Sequence, residues 1–349
     1  MSGQTSQNAK QLWFTKPFQV EIREQGLPSP VPDQALVRCL YSGISAGTEM
    51  LVYRGQIPDS MPLDANLPAL GDGAIKYPLR YGYACVGRIE QVGSSADEAW
   101  VGRTVFSFQP HASHFVSDVS ELIQVPDDVD PEAAVFLANM DTAVNLLQDA
   151  HPQLGDRVIV LGQGILGLLV GGILAEFPLA ALYGVDRMSQ RQEMGEKIGA
   201  IACFDPDSPS DINVLKNRLH LDQARSGADI VMELTGSPEA LNLAVELCAY
   251  SGRIIVGSWY GSKNAKLKLG ERFHRNRISI VSSQVSTISP ELRGRWDKER
   301  RLSVAWDRIR RLNPQQFISH RLPLSKAADA YHLLDSVSEE ALQIIFDYQ

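Results

Sequence analysis

The chain has 349 residues, 44% of them hydrophobic, with 33 basic against 41 acidic side chains and a net charge of −8. That length allows two domains with packed cores, and the acidic balance leaves no basic excess to neutralise a nucleic-acid backbone. Met1 to Lys10 is polar, with no apolar segment of the secretory type, and the four cysteines (Cys39, Cys85, Cys203, Cys248) are widely spaced with no C-x-x-C, which speaks against a disulfide framework or a cysteine zinc module and for reduced thiols in the cytoplasm.

From Leu12 to about Val116 the pattern is one of short strands and turns. Ala35 to Leu40 is a β-like run before Ser42-Gly43, and Tyr83 to Val92 and Gly102 to Phe108 are two more. Tyr53 to Pro78 is rich in Pro, Gly and Asp and predicts a long surface loop. At Pro131 the texture changes. Glu132 to Leu147 predicts a helix, with Pro131 suited to its first turn.

Val158 to Leu161 is a short apolar run that turns through Gly162-Gln163-Gly164-Ile165-Leu166-Gly167, a G-x-G-x-x-G pattern. An apolar helix follows to Phe177, and a second run, Ala181 to Val185, ends on Asp186. The acid lies 19 residues past Gly167, close to the roughly 20 expected where a carboxylate meets the ribose hydroxyls of NAD. Gly162 permits the tight turn. Gly164 admits a pyrophosphate against the backbone, and Gly167 lets helix and strand close up. The helix N-terminus supplies free N–H groups for the phosphates. Val158 to Ala175 carries no charge over 18 residues, about the length of a membrane span. Its glycines and its strand-like start make a strand plus a buried helix the better reading.

Strand and helix then alternate: Ala228 to Leu234, a helix from Ser237 to Leu247, Gly252 to Gly257, and Ile278 to Ser282. This predicts a doubly wound parallel sheet. Asp297 to Leu312 is a charged helix, and the tail returns with Arg321 to Leu324, a helix near Ala327 to Leu334 and a strand from Gln343 to Phe346.

With its β-rich first half, its dinucleotide unit and its short return, the chain resembles the medium-chain dehydrogenase/reductase superfamily of zinc-type alcohol dehydrogenase-like proteins. The residues that carry the likeness are Ser42 to Glu49, Gly82-Tyr83-Ala84, Gly102 to Phe106, the glycine turn, Glu233 to Ser237 and His320 to Leu324. Ser42 to Glu49, Ser282 to Val285 and Arg295-Trp296-Asp297 look like the branch containing bacteriochlorophyllide a dehydrogenase. The resemblance implies an α/β protein: a Rossmann domain over 141–288 and a GroES-like barrel catalytic domain over 1–140 and 289–349. It also implies a homodimer formed through the Rossmann domain.

The chain departs from the family at the metal. Zinc-dependent members carry a Cys-Gly-Ile-Cys-Gly-Thr-Asp type segment whose second cysteine binds catalytic zinc. Here Ser45 stands in that place, or Ala46 if the register slips by one. The family's Gly-His-Glu segment is Gly82-Tyr83-Ala84, and the four-cysteine structural lobe is missing. Zinc needs three or four convergent N, S or O ligands, so a zinc-independent site is expected.

Tyr83 then polarises a carbonyl or passes a proton, or else packs by its ring. Ser45 and Thr48 are candidate donors to a substrate oxygen, and Glu49 either joins a relay or holds a turn. His111 and His114 form H-x-x-H. A metal there would need Glu49 or Asp141 as a third ligand, and an acid–base role for His111 fits imidazole chemistry better. Expected at the cofactor are Gly162, Gly164, Ile165, Leu166, Gly167, Asp186, Arg187, Thr235 and Gly257. Arg187 and Arg191 are suited to a 2′-phosphate that Asp186 would repel, so NAD(H) is favoured over NADP(H). Asp141 and Thr142 lie at the join of the domains, and Trp259 and Tyr260 flank nicotinamide or pack. The expected function is a cytoplasmic NAD(P)-dependent oxidoreductase that moves a hydride between nicotinamide and a small carbonyl or alcohol. A zinc-free enone or quinone reductase and a non-catalytic NAD(H)-binding protein are the alternatives.

Overall fold

A computed structural model describes residues 7–58, 76–94, 98–221, 226–336 and 341–349. Most of the expected Pro-, Gly- and Asp-rich loop, residues 59–75, lies outside them. The chain divides into two units, 1–138 with 313–349, and 139–312.

The first unit opens with an antiparallel pair, β1 (Asn8–Lys16) and β2 (Gln19–Gly26). Strand β3 (Gln34–Gly43) follows and then a short helix that the composition did not announce, α1 (Thr48–Tyr53). Next come β4 (Cys85–Val92), β5 (Thr104–Ser107), β6 (His114–Asp118) and β7 (Ile123–Gln124). The helix expected over Glu132 to Leu147 is two helices, α2 (Pro131–Ala134) and α3 (Leu137–Ala150). Asp130 caps the first by accepting from Glu132 N at 2.8 Å, with Pro131 at the first helical position. Val135 and Phe136, both buried, interrupt the run. Val135 is held against β3, where a Cβ on Gly43 would come within 2.5 Å of its Cγ1. That packing outweighs the helical propensity of the sequence.

The second unit is the strand–helix alternation. Its elements are β8 (Arg157–Leu161), α4 (Ile165–Leu174), β9 (Ala181–Val185), α5 (Ser189–Lys197), β10 (Ala202–Phe204), α6 (Pro209–Arg218), β11 (Ala228–Glu233), α7 (Ala240–Leu247), β12 (Cys248–Val256), β13 (Ser279–Ser282) and α8 (Lys298–Leu312). Among the described residues the sheet order is β10-β9-β8-β11-β12-β13, all parallel. The order reverses between β8 and β11, as in a doubly wound dinucleotide fold. Strands β8 and β9 are apolar on both faces because helices cover both sides. Strand β12 begins four residues before the run that the sequence suggested.

The charged helix α8 was expected in the barrel domain with 289–349, but it belongs to this unit. It lies on α4, where a Cβ on Gly172 would approach Leu312 Cδ1 to 2.6 Å and Arg308 pairs with Glu176 at 2.6 Å. Its apolar stripe, with Ala305, Trp306 and Ile309 buried, needs a helix to pack on, and α4 provides it. The chain then returns to the first unit with β14 (Ile318–Pro323), α9 (Ala327–Ser336) and β15 (Gln343–Asp347). There the described strands order as β14-β15-β3-β4-β5-β7, with β6 also on β3.

Candidate active site

In the second unit the glycine turn is built as its sequence requires. Gly162 has φ +91°, and a Cβ there would stand 2.7 Å from Leu234 O. A Cβ on Gly167 would lie 1.9 Å from Gly162 O, so only glycine lets the turn and helix close. Gly164 is the extended N-cap of α4. In front of it the nearest atom to a built Cβ is Arg191 Nη1 at 3.9 Å, which leaves the approach open. Ile165, Leu166 and Gly167 form the first turn, where backbone N–H groups have no intrahelical acceptor. Such a turn fits the phosphates of a dinucleotide.

Asp186 sits at the end of β9 with its carboxylate on this turn. Oδ2 accepts from Gln163 N at 2.7 Å and Oδ1 from Met188 N at 3.0 Å. A carboxylate has about four acceptor positions, so two remain for ribose hydroxyls. Arg187 points elsewhere: it is exposed and pairs with Asp207 at 3.9 Å. The cation beside the turn is Arg191, with its Nη1 3.9 Å from a Cβ built on Gly164. A side chain one turn into α5 reaches back over Gly164, whereas the residue after the strand does not.

Thr235 and Gly257 mark the ends of β11 and β12. Thr235 gives its hydroxyl hydrogen to Glu233 Oε1 at 2.5 Å and its amide to the same oxygen at 2.8 Å. Tyr260 donates to the other oxygen of Glu233, which is fully buried. Burial, and next the Glu233 carboxylate, push the Tyr260 phenol well above its usual range. Tyr260 is thereby tied to the end of β11. Gly257 is required by packing, since a Cβ would stand 2.6 Å from Leu234 Cδ2 and 2.8 Å from Leu146 Cδ2. Asp141 is taken by Arg301, which donates to both of its oxygens at 2.7 and 3.0 Å.

In the first unit, Ser45, Thr48 and Tyr83 are half-buried and Glu49 and His111 are fully buried. The Tyr83 hydroxyl donates to Ser45 Oγ at 2.6 Å. Behind this pair, Glu49 Oε1 accepts from Ser45 N at 2.7 Å. Its Oε2 takes His111 Nε2 at 2.9 Å and the Tyr331 hydroxyl at 2.5 Å. His111 Nδ1 meets Ser42 Oγ at 2.7 Å, and Ser42 Oγ meets the Tyr348 hydroxyl at 2.8 Å. Both nitrogens of His111 are occupied and its ring is sealed, so His111 is corrected from a proton donor to a supporting residue. A short loop between two strands turned it inward over Gly82, where a Cβ would lie 2.8 Å from the ring. His114 faces away, towards Gln7, Ser113 and Glu90, and H-x-x-H forms no convergent pair. Glu49, Ser42, Tyr331 and Tyr348 complete the cluster. The last three carry no sequence signal, because 69 to 306 positions separate the bonded partners.

Among the described residues, the side chains of this site do not offer a ligand set that fits a zinc ion. Ser45 Oγ is engaged by Tyr83, the carboxylate of Glu49 already accepts three hydrogen bonds, and the nearby thiols bond to carbonyls: Cys39 to Tyr41 O, Cys85 to Gln109 O. Burial pushes the Cys39 thiol well up, away from the thiolate that a metal needs. Among the described residues no three His, Cys, Asp or Glu side chains converge.

Residues 166–301 match the family of zinc-binding dehydrogenases. D-guloside 3-dehydrogenase of Escherichia coli (strain K12) is 22% identical over 352 residues, spanning 96% of this chain and 99% of that protein. Among solved structures, the short chain alcohol dehydrogenase RspB of E. coli CFT073, complexed with NADH, superposes with a TM-score of 0.77 at 19% identity over 97% of this chain and 99% of its own. The 2R,3R-butanediol dehydrogenase of Bacillus subtilis does so with a TM-score of 0.77 at 18% identity and the same coverage. Over nearly its whole length the chain is thus similar to these dehydrogenases and shares their fold, and residues 166–301 carry the match to the zinc-binding dehydrogenase family.

Proposed function

We propose that this oxidoreductase interconverts a secondary alcohol or polyol and its ketone with NAD(H), without zinc. The observation that carries the reading is the hydrogen bond from Tyr83 to Ser45 Oγ at 2.6 Å. It stands where the resemblance calls for metal ligands. Reduction of a ketone leaves negative charge on oxygen, and a Lewis acid or a hydrogen-bond donor must meet it. Tyr83 spends its hydrogen on Ser45, so the hydroxyl left to point at a substrate oxygen is that of Ser45. In reduction, Ser45 gives its proton to that oxygen and takes another from Tyr83, whose half-buried hydroxyl takes its replacement proton from solvent. In oxidation the two steps reverse. Thr48, half-buried three residues on, is a second donor of the same kind.

Bound nicotinamide would supply or accept the hydride. For its dinucleotide the chain offers the Gly162–Gly167 turn, the first-turn amides of Ile165 and Leu166, and Asp186. The open acceptor positions of Asp186 favour ribose hydroxyls over a 2′-phosphate. RspB, which is solved with NADH, supports that choice. D-guloside 3-dehydrogenase and butanediol dehydrogenase support an alcohol or polyol substrate. The likeness of Ser42 to Glu49 to the bacteriochlorophyllide a dehydrogenase branch supports a zinc-free member. Edge strand β13 supports a homodimer through the second unit, and four free thiols support the cytoplasm.

The test is NADH and NADPH binding by fluorescence, followed by turnover of 2,3-butanediol, polyols, enones and quinones. Oxidation of a secondary alcohol by metal-free protein is the expected result. Turnover of enones or quinones alone would reassign the chain to the zinc-free reductases, and tight NADH binding with no turnover would make it a binding protein.

A further inference from the structure

We infer that Glu49 is a positioning residue for the Ser45–Tyr83 pair, acting from beneath it through the Ser45 amide. The inference rests on the proposed proton role of that pair.

Glu49 is fully buried in the first turn of α1. Its carboxylate accepts three hydrogen bonds: Ser45 N at 2.7 Å, His111 Nε2 at 2.9 Å and the Tyr331 hydroxyl at 2.5 Å. One placement of hydrogens satisfies the whole cluster. Glu49 is the carboxylate, and His111 is neutral with its hydrogen on Nε2. Ser42 then donates to His111 Nδ1, and Tyr348 donates to Ser42 Oγ, at the 2.7 and 2.8 Å already given. Each donor has an acceptor, and no member can rotate without orphaning a buried group. Oε2 is thereby pinned from two sides, on β15's neighbour Tyr348 through His111 and on α9 through Tyr331, so Oε1 is presented at a fixed point.

Ser45 N is bonded to that point. The Ser45 side chain leaves from the same residue, and its Oγ receives the Tyr83 hydroxyl at 2.6 Å. Beyond Ser45 the chain is open, with Ala46 and Gly47 exposed, while the Ser45 carbonyl accepts from Glu49 N at 3.0 Å, so Glu49 holds Ser45 at both of its main-chain groups. Without the carboxylate, the Ser45 amide loses its acceptor and only the carbonyl bond to Glu49 N fixes the residue that carries the hydroxyl. Misplacing a reacting group by about 1 Å costs on the order of a hundredfold in rate. Glu49 touches neither substrate nor cofactor, so its effect must pass through Ser45.

The experiment is a double-mutant cycle with Ser45→Ala and Glu49→Gln, using the best alcohol of the panel above. Glutamine keeps the shape of glutamate but places an amide where His111 and Tyr331 both donate. Glu49→Gln should lower kcat by about tenfold to a hundredfold, raise the solvent isotope effect on kcat, and leave NADH binding by fluorescence unchanged. In the Ser45→Ala background it should have little further effect on kcat, because the hydroxyl it positions is gone. Wild-type turnover by Ser45→Ala would sink the underlying reading. A slow Ser45→Ala whose loss multiplies in full with that of Glu49→Gln would leave that reading intact and overturn this one. If Glu49→Gln does not fold, Tyr331→Phe removes one donor to Oε2 and leaves the Ser45 bond. It should give a smaller loss of the same pattern, and an unchanged kcat and isotope effect would refute the inference.

Discussion

Tyr83 donates its hydroxyl hydrogen to Ser45 Oγ across 2.6 Å, in the stretch where the sequence resemblance calls for a metal-binding cysteine. On the proposed function, the direction of the bond sets the order of proton transfer, with Ser45 at the reacting end and Tyr83 behind it. Ser45→Ala should therefore cost more than Tyr83→Phe. Losing the terminal donor should reduce kcat on the order of a hundredfold or more. Tyr83→Phe keeps the ring against Tyr81, 6.4 Å away centroid to centroid, and should cost roughly tenfold, on the lower side of general acid–base effects. Steady-state kinetics on both variants checks the order. Equal wild-type rates would reduce the pair to packing.

Zinc content is a direct check on the same site. Purified protein should carry no stoichiometric zinc by elemental analysis, and chelators should leave turnover intact. One tightly held zinc per chain would mean that ligands from outside the described residues complete a site.

Cofactor choice turns on Asp186. The unchanged protein should bind NADH more tightly than NADPH. Asp186→Ser should narrow the gap by weakening NADH and relieving the repulsion of a 2′-phosphate. Binding titrations with both nucleotides give the ratio. Equal affinity in the unchanged protein would show that Arg191, beside Gly164, outweighs the carboxylate.

Acid should weaken the first unit at an identifiable pair. Arg321 holds both oxygens of Glu132, at 2.7 and 2.8 Å, and this bond lowers the Glu132 carboxyl below its ordinary value. A carboxyl lowered by folding adds stability above its unfolded pKa and loses it as pH falls through the folded value. The pair is partly exposed, so its contribution at neutral pH is at most about 1 kcal/mol. Glu132→Gln should lower Tm by roughly 2–4 °C at pH 7 and by progressively less as the pH falls through the lowered native value of the carboxyl. A difference that persists in acid would point to a lost contact rather than to charge.

Much of the second unit was legible from sequence because its chemistry is local. Gly162, Gly167 and Asp186 announce themselves by spacing, since turn, helix and following strand are consecutive. The Ser45–Tyr83 site was legible by another route, through departures from a known pattern. The support beneath it was not. Glu49 finds His111 62 positions away and Tyr331 282 positions away, and no local rule links a carboxylate to either. Reading His111 as a proton donor failed for that reason: its type suggested chemistry, and only the packing of its ring over Gly82 shows that it is enclosed. The assignment of α8 failed likewise, because a helix declares its apolar stripe without declaring its partner.

The bond from Gln163 N to Asp186 Oδ2 ties cofactor selectivity to the architecture of the glycine turn. The carboxylate that, on the proposed function, screens the incoming nucleotide also steadies the glycine turn, and the Gln163 side chain is wedged beside Gly184 and Gly195, where a Cβ on either would strike it. A lineage or an engineer replacing Asp186 to recruit a phosphorylated nucleotide therefore loosens the receptor loop in the same step. Such a switch should be accessible only through an intermediate that holds either nucleotide poorly, unless a second change first gives Gln163 N another acceptor. One shared hydrogen bond thus makes the order of substitutions matter, and narrows the routes by which this chain can change its redox currency.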